Sequence, residues 1–276
     1  MSALTLLWML AAAGAPETTV AEAKIHDAKA EGLALLERGE YAAAARVLEQ
    51  AHKADPGDRD LLLALGRAYL RLGNHQQALN AYSAILMEDR RHLEANMGRA
   101  RALVGLGDAP KAVENARLAA ELAPDRAAAW LLLGDVYSHQ SLQDYPRAMD
   151  AYRKACALDP QSLDAAMRLA RSLSYTREVE QAIEVLEQAR AHHPGSVPLA
   201  VKLAESYYVV RDLDRADALI RRALEAEPDN PEARRVRDQI EGRRAYNFWV
   251  PVIAIVTLPV LFFLVRWLKR GRIPKV

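Results

Sequence analysis

The chain has 276 residues, a formal net charge of +1 and one cysteine. Apolar residues at 51% and charged residues at 26% exclude a disordered chain, and aromatics at only 6% favour close helix–helix packing over a sheet core. Near-neutrality argues against nucleic acid as a partner, and a lone Cys156 excludes an intrachain disulfide or a multi-cysteine zinc site.

The first element, Ser2 to Ala15, is a short apolar run ending in small residues. It is too short to cross a bilayer, and Ala11-Ala12-Ala13 and Ala13-Gly14-Ala15 both resemble signal-peptidase sites. Residues 1–15 therefore read as a signal peptide or an apolar N-terminal segment packed on the first repeat. Residues 16–24 read as a linker.

A repeat follows. Pro56, Pro124, Pro160, Pro194 and Pro228 are spaced by 68, 36, 34 and 34 residues, so the unit is 34 residues long. Arg90 replaces one proline, and two residues are inserted before Pro160. The units are 25–58, 59–92, 93–126, 127–162, 163–196 and 197–230. Each holds two apolar-periodic stretches around a short turn, which carries Gly39, Gly73 and Gly107 in the first three.

Position eight of the unit is always small (Gly32, Gly66, Ala100, Gly134, Ala170, Ala204), and so is position twenty (Ala44, Ala78, Ala112, Ala148, Ala182, Ala216). Two helices cross closely only where bulky side chains are missing, which places Ala148 opposite Gly134. Leu48, Tyr82, Tyr152, Leu186 and Ile220, at position twenty-four, fill the space beside that crossing.

These residues resemble the tetratricopeptide repeat (TPR). Trp130, Leu133-Gly134, Tyr137, Ala148, Tyr152 and Pro160 make the fourth unit the nearest match, while the third departs most, with Asn96, Arg99 and Ala116 at usually apolar or bulky positions. The resemblance implies an all-α fold, a right-handed α-solenoid of six helix hairpins. It also implies a concave groove lined by positions 2, 5, 9, 12 and 13 of each first helix. Carried onto this chain, those and neighbouring positions give Lys29, Arg67, Arg71, Met97, Arg101, Asp135, Met167, Arg168, Arg171, Tyr175 and Tyr208. An arginine stripe with Met and Tyr contacts suits a protein or peptide partner with an acidic or C-terminal segment. The family's chaperone-tail clamp is matched at Lys29 but not at Leu33, Ala64, Glu94 or Gly98, which argues against a chaperone-tail adaptor.

After the repeats, Asn230-Pro231-Glu232 reads as an N-cap and helix start, with Val236 and Ile240 as one apolar stripe. Residues 231–247 are expected to cap the stack and lead to the membrane. Phe248 to Val265 is 18 residues without a charge, about 27 Å as a helix, enough to cross a bilayer once. Trp249, Arg266, Trp267, Lys269 and Arg270 match interfacial anchors, and 266–276 forms a basic tail. Five positive charges follow Val265 within ten residues, against two before Phe248, which keeps the tail cytoplasmic and the repeats outside. A window of fifteen residues levels that count at five each.

No phosphate-loop, zinc-peptidase or serine-hydrolase motif occurs, His192-His193 face apart on a helix, and Cys156 occupies a packing slot. No catalytic residue, cofactor or metal is expected. The sequence leads to a membrane-anchored interaction scaffold, in a bacterial inner membrane with periplasmic repeats, that tethers or assembles an envelope complex. Two other readings stay open: a tail-anchored adaptor with cytosolic repeats, of organelle-division type, and a repeat domain that holds a substrate for a partner transferase.

Overall fold

The computed structural model describes residues 17–270, without the side chains of residues 17–24, Ala254, Val256, Phe263 and residues 267–270. Residues 1–16, which hold the expected signal peptide, and 271–276 lie outside that description. Thirteen α-helices and no strand occur among the described residues. They form two compact units, one up to Ala165 and one from Ala166.

The first unit contains α1 (Glu17–Glu37), α2 (Tyr41–Ala54), α3 (Arg59–Leu72), α4 (His75–Glu88), α5 (Leu93–Gly105), α6 (Ala109–Leu122), α7 (Ala127–Ser138) and α8 (Tyr145–Leu158). From α1 to α8 each helix packs on the next, and α1, α3, α5 and α7 also pack side by side, so the first helices of successive hairpins share one layer. The second unit contains α9 (Leu163–Tyr175, which begins just before the boundary), α10 (Val179–His192), α11 (Val197–Val209), α12 (Leu213–Ala226) and α13 (Pro231–Arg270). There α10 packs on α11, α11 on α12, and α13 on both α11 and α12.

Two segments differ from expectation. Residues 17–24, read as a linker, are the first turns of α1, because Glu17 to Glu37 is one helix. The capping and apolar segments are likewise one helix, with Pro251 and Pro259 inside it.

The small residue at position eight makes room for the large side chain at position twenty-four. A Cβ on Gly134 would lie 2.4 Å from the Tyr152 ring, whose atoms are its three nearest neighbours, and one on Gly32 would lie 2.5 Å from Leu48. Ala148, at position twenty of the same hairpin, is fully buried.

The turn after each first helix needs a left-handed residue. Gly39, Gly73 and Gly107 supply it at φ 76–79°, and in the later units Gln143, Arg177 and Arg211 are held at φ 51°, 66° and 65°. Side chains close many helix starts: Asp58 accepts from the amides of Asp60 and Leu61, and Asn230 from that of Ala233 at 3.0 Å.

Position four carries a further recurring bond. Trp130 Nε1 donates to the Pro124 carbonyl at 2.9 Å, Arg234 Nε to that of Pro228 at 3.0 Å, and Asn96 Nδ2 to that of Arg90 at 3.0 Å. Three unlike donors thus satisfy the same carbonyl at the end of the preceding unit. Asn96, out of pattern by sequence, is 2% exposed and also donates to His92 O. Arg99 reaches Asn115 Oδ1 at 3.1 Å, so the third unit replaces apolar contacts with a short polar chain.

Candidate functional site

Three arginines of the first-helix layer come together. Arg67 and Arg71 are four residues apart on one face of α3, and Arg101 stands on α5 one repeat after Arg67. They line an open pocket of about 610 Å³ with Leu36, Glu37, Tyr41, Leu63, Leu70, His75, Tyr82, Glu94 and Gly98.

The Tyr82 ring is seated where two glycines leave room. A Cβ on Gly66 of its own repeat would come within 2.5 Å of its Cζ, and one on Gly98 of the next repeat within 2.2 Å. Tyr82 is only 2% exposed, yet it lines the pocket. No group among the described residues hydrogen-bonds its hydroxyl, and that oxygen is not sealed from solvent. Burial pushes its phenol up to about 12, while the nearby charges of Arg67 and Arg101 favour ionisation and Glu94 opposes it.

The charges in the pocket are unbalanced. Arg126 takes Glu94 in an ion pair. The Arg71 guanidinium lies over the Tyr41 ring at 5.5 Å, and Arg67 and Arg101 have no ion-pair partner among the described residues. Glu37 is the one remaining carboxylate in the lining.

The fourth repeat has the same tyrosine in a different setting. Tyr152, the counterpart of Tyr82, packs on Gly134, and its hydroxyl donates to Asp135 Oδ1 at 2.8 Å. Asp135 is the counterpart of Arg67.

Other expected groove residues are placed elsewhere. Lys29 Nζ is bound to Asp58 at 2.8 Å and Asp60 at 2.9 Å, tying α1 to the start of α3. Burial alone lowers a lysine's pKa, but these two carboxylates outweigh it and raise that of Lys29. Met97 is 1% exposed in a core cluster with Ala100, Leu103, Ala116 and Leu132, so it does not face a groove. In the second unit Met167 and Arg168 are half-buried, and Arg171 and Tyr175 exposed. Tyr208 lines a separate pocket with Lys202, Glu205 and Arg235, under the Arg243 guanidinium at 5.6 Å. Lys202 and Arg235 are both paired with Glu205. Trp249 and Arg266 are exposed, while the side chains of Trp267, Lys269 and Arg270 lie outside the description. Burial raises the half-buried Cys156 thiol to about 11, which keeps it protonated and unreactive.

Tyr41, His75 and Gly98 were not among the residues expected at this site. Tyr41 and His75 each begin a second helix at position seventeen of their unit, and that repetition was the available signal.

Sequence profiles of the tetratricopeptide repeat match residues 35–102 and 175–240, and a second such profile matches 97–162, together well over half of the chain. The chain belongs to the tetratricopeptide repeat family. Its fold is similar to a TPR protein from Parabacteroides merdae ATCC 43184, with TM-score 0.64 and 20% identity over 80% of this chain and 87% of that one. It is also similar to Pseudomonas aeruginosa pilF, with TM-score 0.64 and 19% identity over 79% and 99%. A chain of the APC/C hetero-tetramer Cut9-Hcn1 gives TM-score 0.63 and 17% identity over 79% and 43%. No curated protein sequence matches. These likenesses establish a fold of consecutively packed helix hairpins, as in TPR solenoids, and membership of the repeat family makes that fold a plausible scaffold for protein–protein interaction.

Proposed function

We propose that this chain is a membrane-anchored TPR scaffold, with its repeats outside the cytoplasm of a bacterial cell and its basic tail inside, that tethers or assembles a protein complex of the envelope. The observation that carries the reading is the division within α13. Ala233, Val236 and Ile240 are fully buried, whereas the described apolar side chains from Phe248 to Val265 are 37–73% exposed. A helix of this length and composition can cross a membrane, and a bilayer would cover a surface that water disfavours. Arg244 is bonded to Asp214 at 2.7 Å and Asp217 at 3.0 Å, and Arg243 lies over Tyr208. The charges just before the apolar stretch are thus engaged by the last hairpin, which supports a cytoplasmic placement of the basic tail. The arginine pocket supports a peptide-binding role, and no catalytic step is assigned.

Deleting residues 246–276 tests the anchor while keeping the Arg244 contacts. The truncated chain should be soluble and helical, and sedimentation with membranes after a high-salt wash overturns the anchor. A photocrosslinking residue at the exposed Arg171 of α9 should capture a protein in native membranes, and one at the exposed Met87 of α4 should not. Absence of products from Arg171 overturns the scaffold reading.

A further inference from the structure

We propose that the pocket around Tyr82 is a carboxylate site: an acidic side chain of a partner peptide bridges Arg67 and Arg101 and accepts the hydroxyl hydrogen of Tyr82. This rests on the partner-binding reading above and names the chemistry of the partner.

The argument comes from a comparison inside the chain. In the hairpin of α7 and α8 the buried tyrosine hydroxyl has its acceptor, the Asp135 carboxylate at 2.8 Å. In the hairpin of α3 and α4 the corresponding position is Arg67, and Arg101 adds a second cation from α5. Tyr82 is as buried as Tyr152 but has no acceptor among the described residues. The Tyr82 hydroxyl has no protein acceptor and is open to the pocket, and the exposed guanidiniums of Arg67 and Arg101 stand beside it without a counter-ion among the described residues. One carboxylate placed where Asp135 stands in the fourth repeat engages all three, through charge-assisted bonds of the kind arginine forms best.

The positive charge also indicates where that carboxylate comes from. Arg67, Arg71 and Arg101 outnumber the two carboxylates of the lining, Glu37 and Glu94, and Glu94 is already paired with Arg126. A single chain terminus leaves that excess partly uncompensated, whereas a segment with several Asp or Glu residues neutralises it. The group that satisfies Tyr152 is likewise a side-chain carboxylate.

The test uses the full chain in detergent micelles and rhodamine-labelled decapeptides followed by fluorescence anisotropy. An amidated Glu–Ala alternating peptide should bind at least tenfold tighter than the amidated Gln–Ala peptide. The Gln–Ala peptide with a free C-terminus should bind no better than its amide. Arg67→Gln with Arg101→Gln should abolish the preference for Glu. Tyr82→Phe, which keeps the ring between the two glycines, should weaken the Glu–Ala peptide about five- to tenfold with an unchanged melting curve. The proposal is overturned by equal binding of the Glu and Gln peptides, by an unaffected Tyr82→Phe, or by tighter binding of the free terminus. Stronger displacement by inorganic phosphate than by glutarate at matched ionic strength also overturns it and points to a phosphorylated partner. If the Arg171 crosslinks form while Glu gives no preference, this inference fails and the scaffold reading stands. If the crosslinks are absent, the scaffold reading fails on its own test.

Discussion

The hydroxyl of Tyr152 donates to Asp135 at 2.8 Å and shares a 3.0 Å hydrogen bond with Ser138, while that of Tyr82, seventy residues earlier and equally buried, bonds to nothing among the described residues. The same side chain at the same repeat position therefore contributes differently to folding. In one hairpin its polar end is a structural element, and in the other it opens to the pocket without a protein partner among the described residues.

Matched substitutions should expose that difference. Tyr152→Phe removes a buried bond to a carboxylate and is expected to cost about 1–3 kcal/mol, whereas Tyr82→Phe should change stability by less than about 0.5 kcal/mol. Urea denaturation followed by circular dichroism measures both. Equal costs would mean that Tyr82 has an acceptor of its own.

Asn96 offers a second contrast, because the family pattern and the structure disagree about it. An apolar residue at its position is commoner in the repeat, so Asn96→Leu looks stabilising by pattern. In place, the amide carries the bonds to Arg90 O and His92 O inside a site 2% exposed. Its loss strands the Arg90 carbonyl, and destabilisation of about 1–3 kcal/mol is expected. A variant as stable as the parent or more so would show that water satisfies that carbonyl.

The hairpin architecture was legible because close helix packing demands small residues at fixed intervals, and the chain supplies them at positions eight and twenty of all six units. How tightly the position-twenty-four side chain seats against position eight was not, since sequence spacing does not give the angle at which helices cross. A Cβ on Gly134 would come within 2.4 Å of the Tyr152 ring. Position five shows a related limit. It lies between neighbouring first helices, and its fate follows the side chain: Lys29 extends its stem to Asp58 and Asp60, while Met97 turns into the core. The pocket depends on Tyr82, Arg67 and Gly98, which belong to two units. Only their relative placement turns a core tyrosine into a surface hydroxyl.

The turn residues allow a stabilising change. Arg211 holds a left-handed conformation at φ 65° that glycine fills in the first three units. Side chains with a Cβ pay about 1–2 kcal/mol there, and glycine's entropy in the unfolded chain returns part of it. Arg211→Gly should therefore stabilise the second unit by about 0.5–1 kcal/mol, seen as a higher urea midpoint with unchanged slope. A lower midpoint would show that the arginine side chain contributes more than its backbone strain costs.

Topology decides whether the pocket meets an envelope protein or a cytosolic one. The Arg243 and Arg244 charges are engaged by Tyr208, Asp214 and Asp217, while the five basic residues after Val265 follow the apolar stretch directly. The topology proposed above expects a processed N-terminus, the repeats outside the cytoplasm and the tail within it. Cysteine labelling reads this out once Cys156 is replaced by alanine. Asp58 is a poor position for the probe, because it caps α3 and pairs with Lys29. Gly195 is exposed in the turn between α10 and α11, and a Cβ there meets nothing within 4 Å. A membrane-impermeant maleimide should label Gly195→Cys in intact cells whose outer membrane is permeabilised. Lys275→Cys should stay protected until the inner membrane is lysed, and mass spectrometry should find about the first 13–15 residues missing. The reverse labelling with an intact N-terminus would place the repeats in the cytosol, with α13 as a tail anchor.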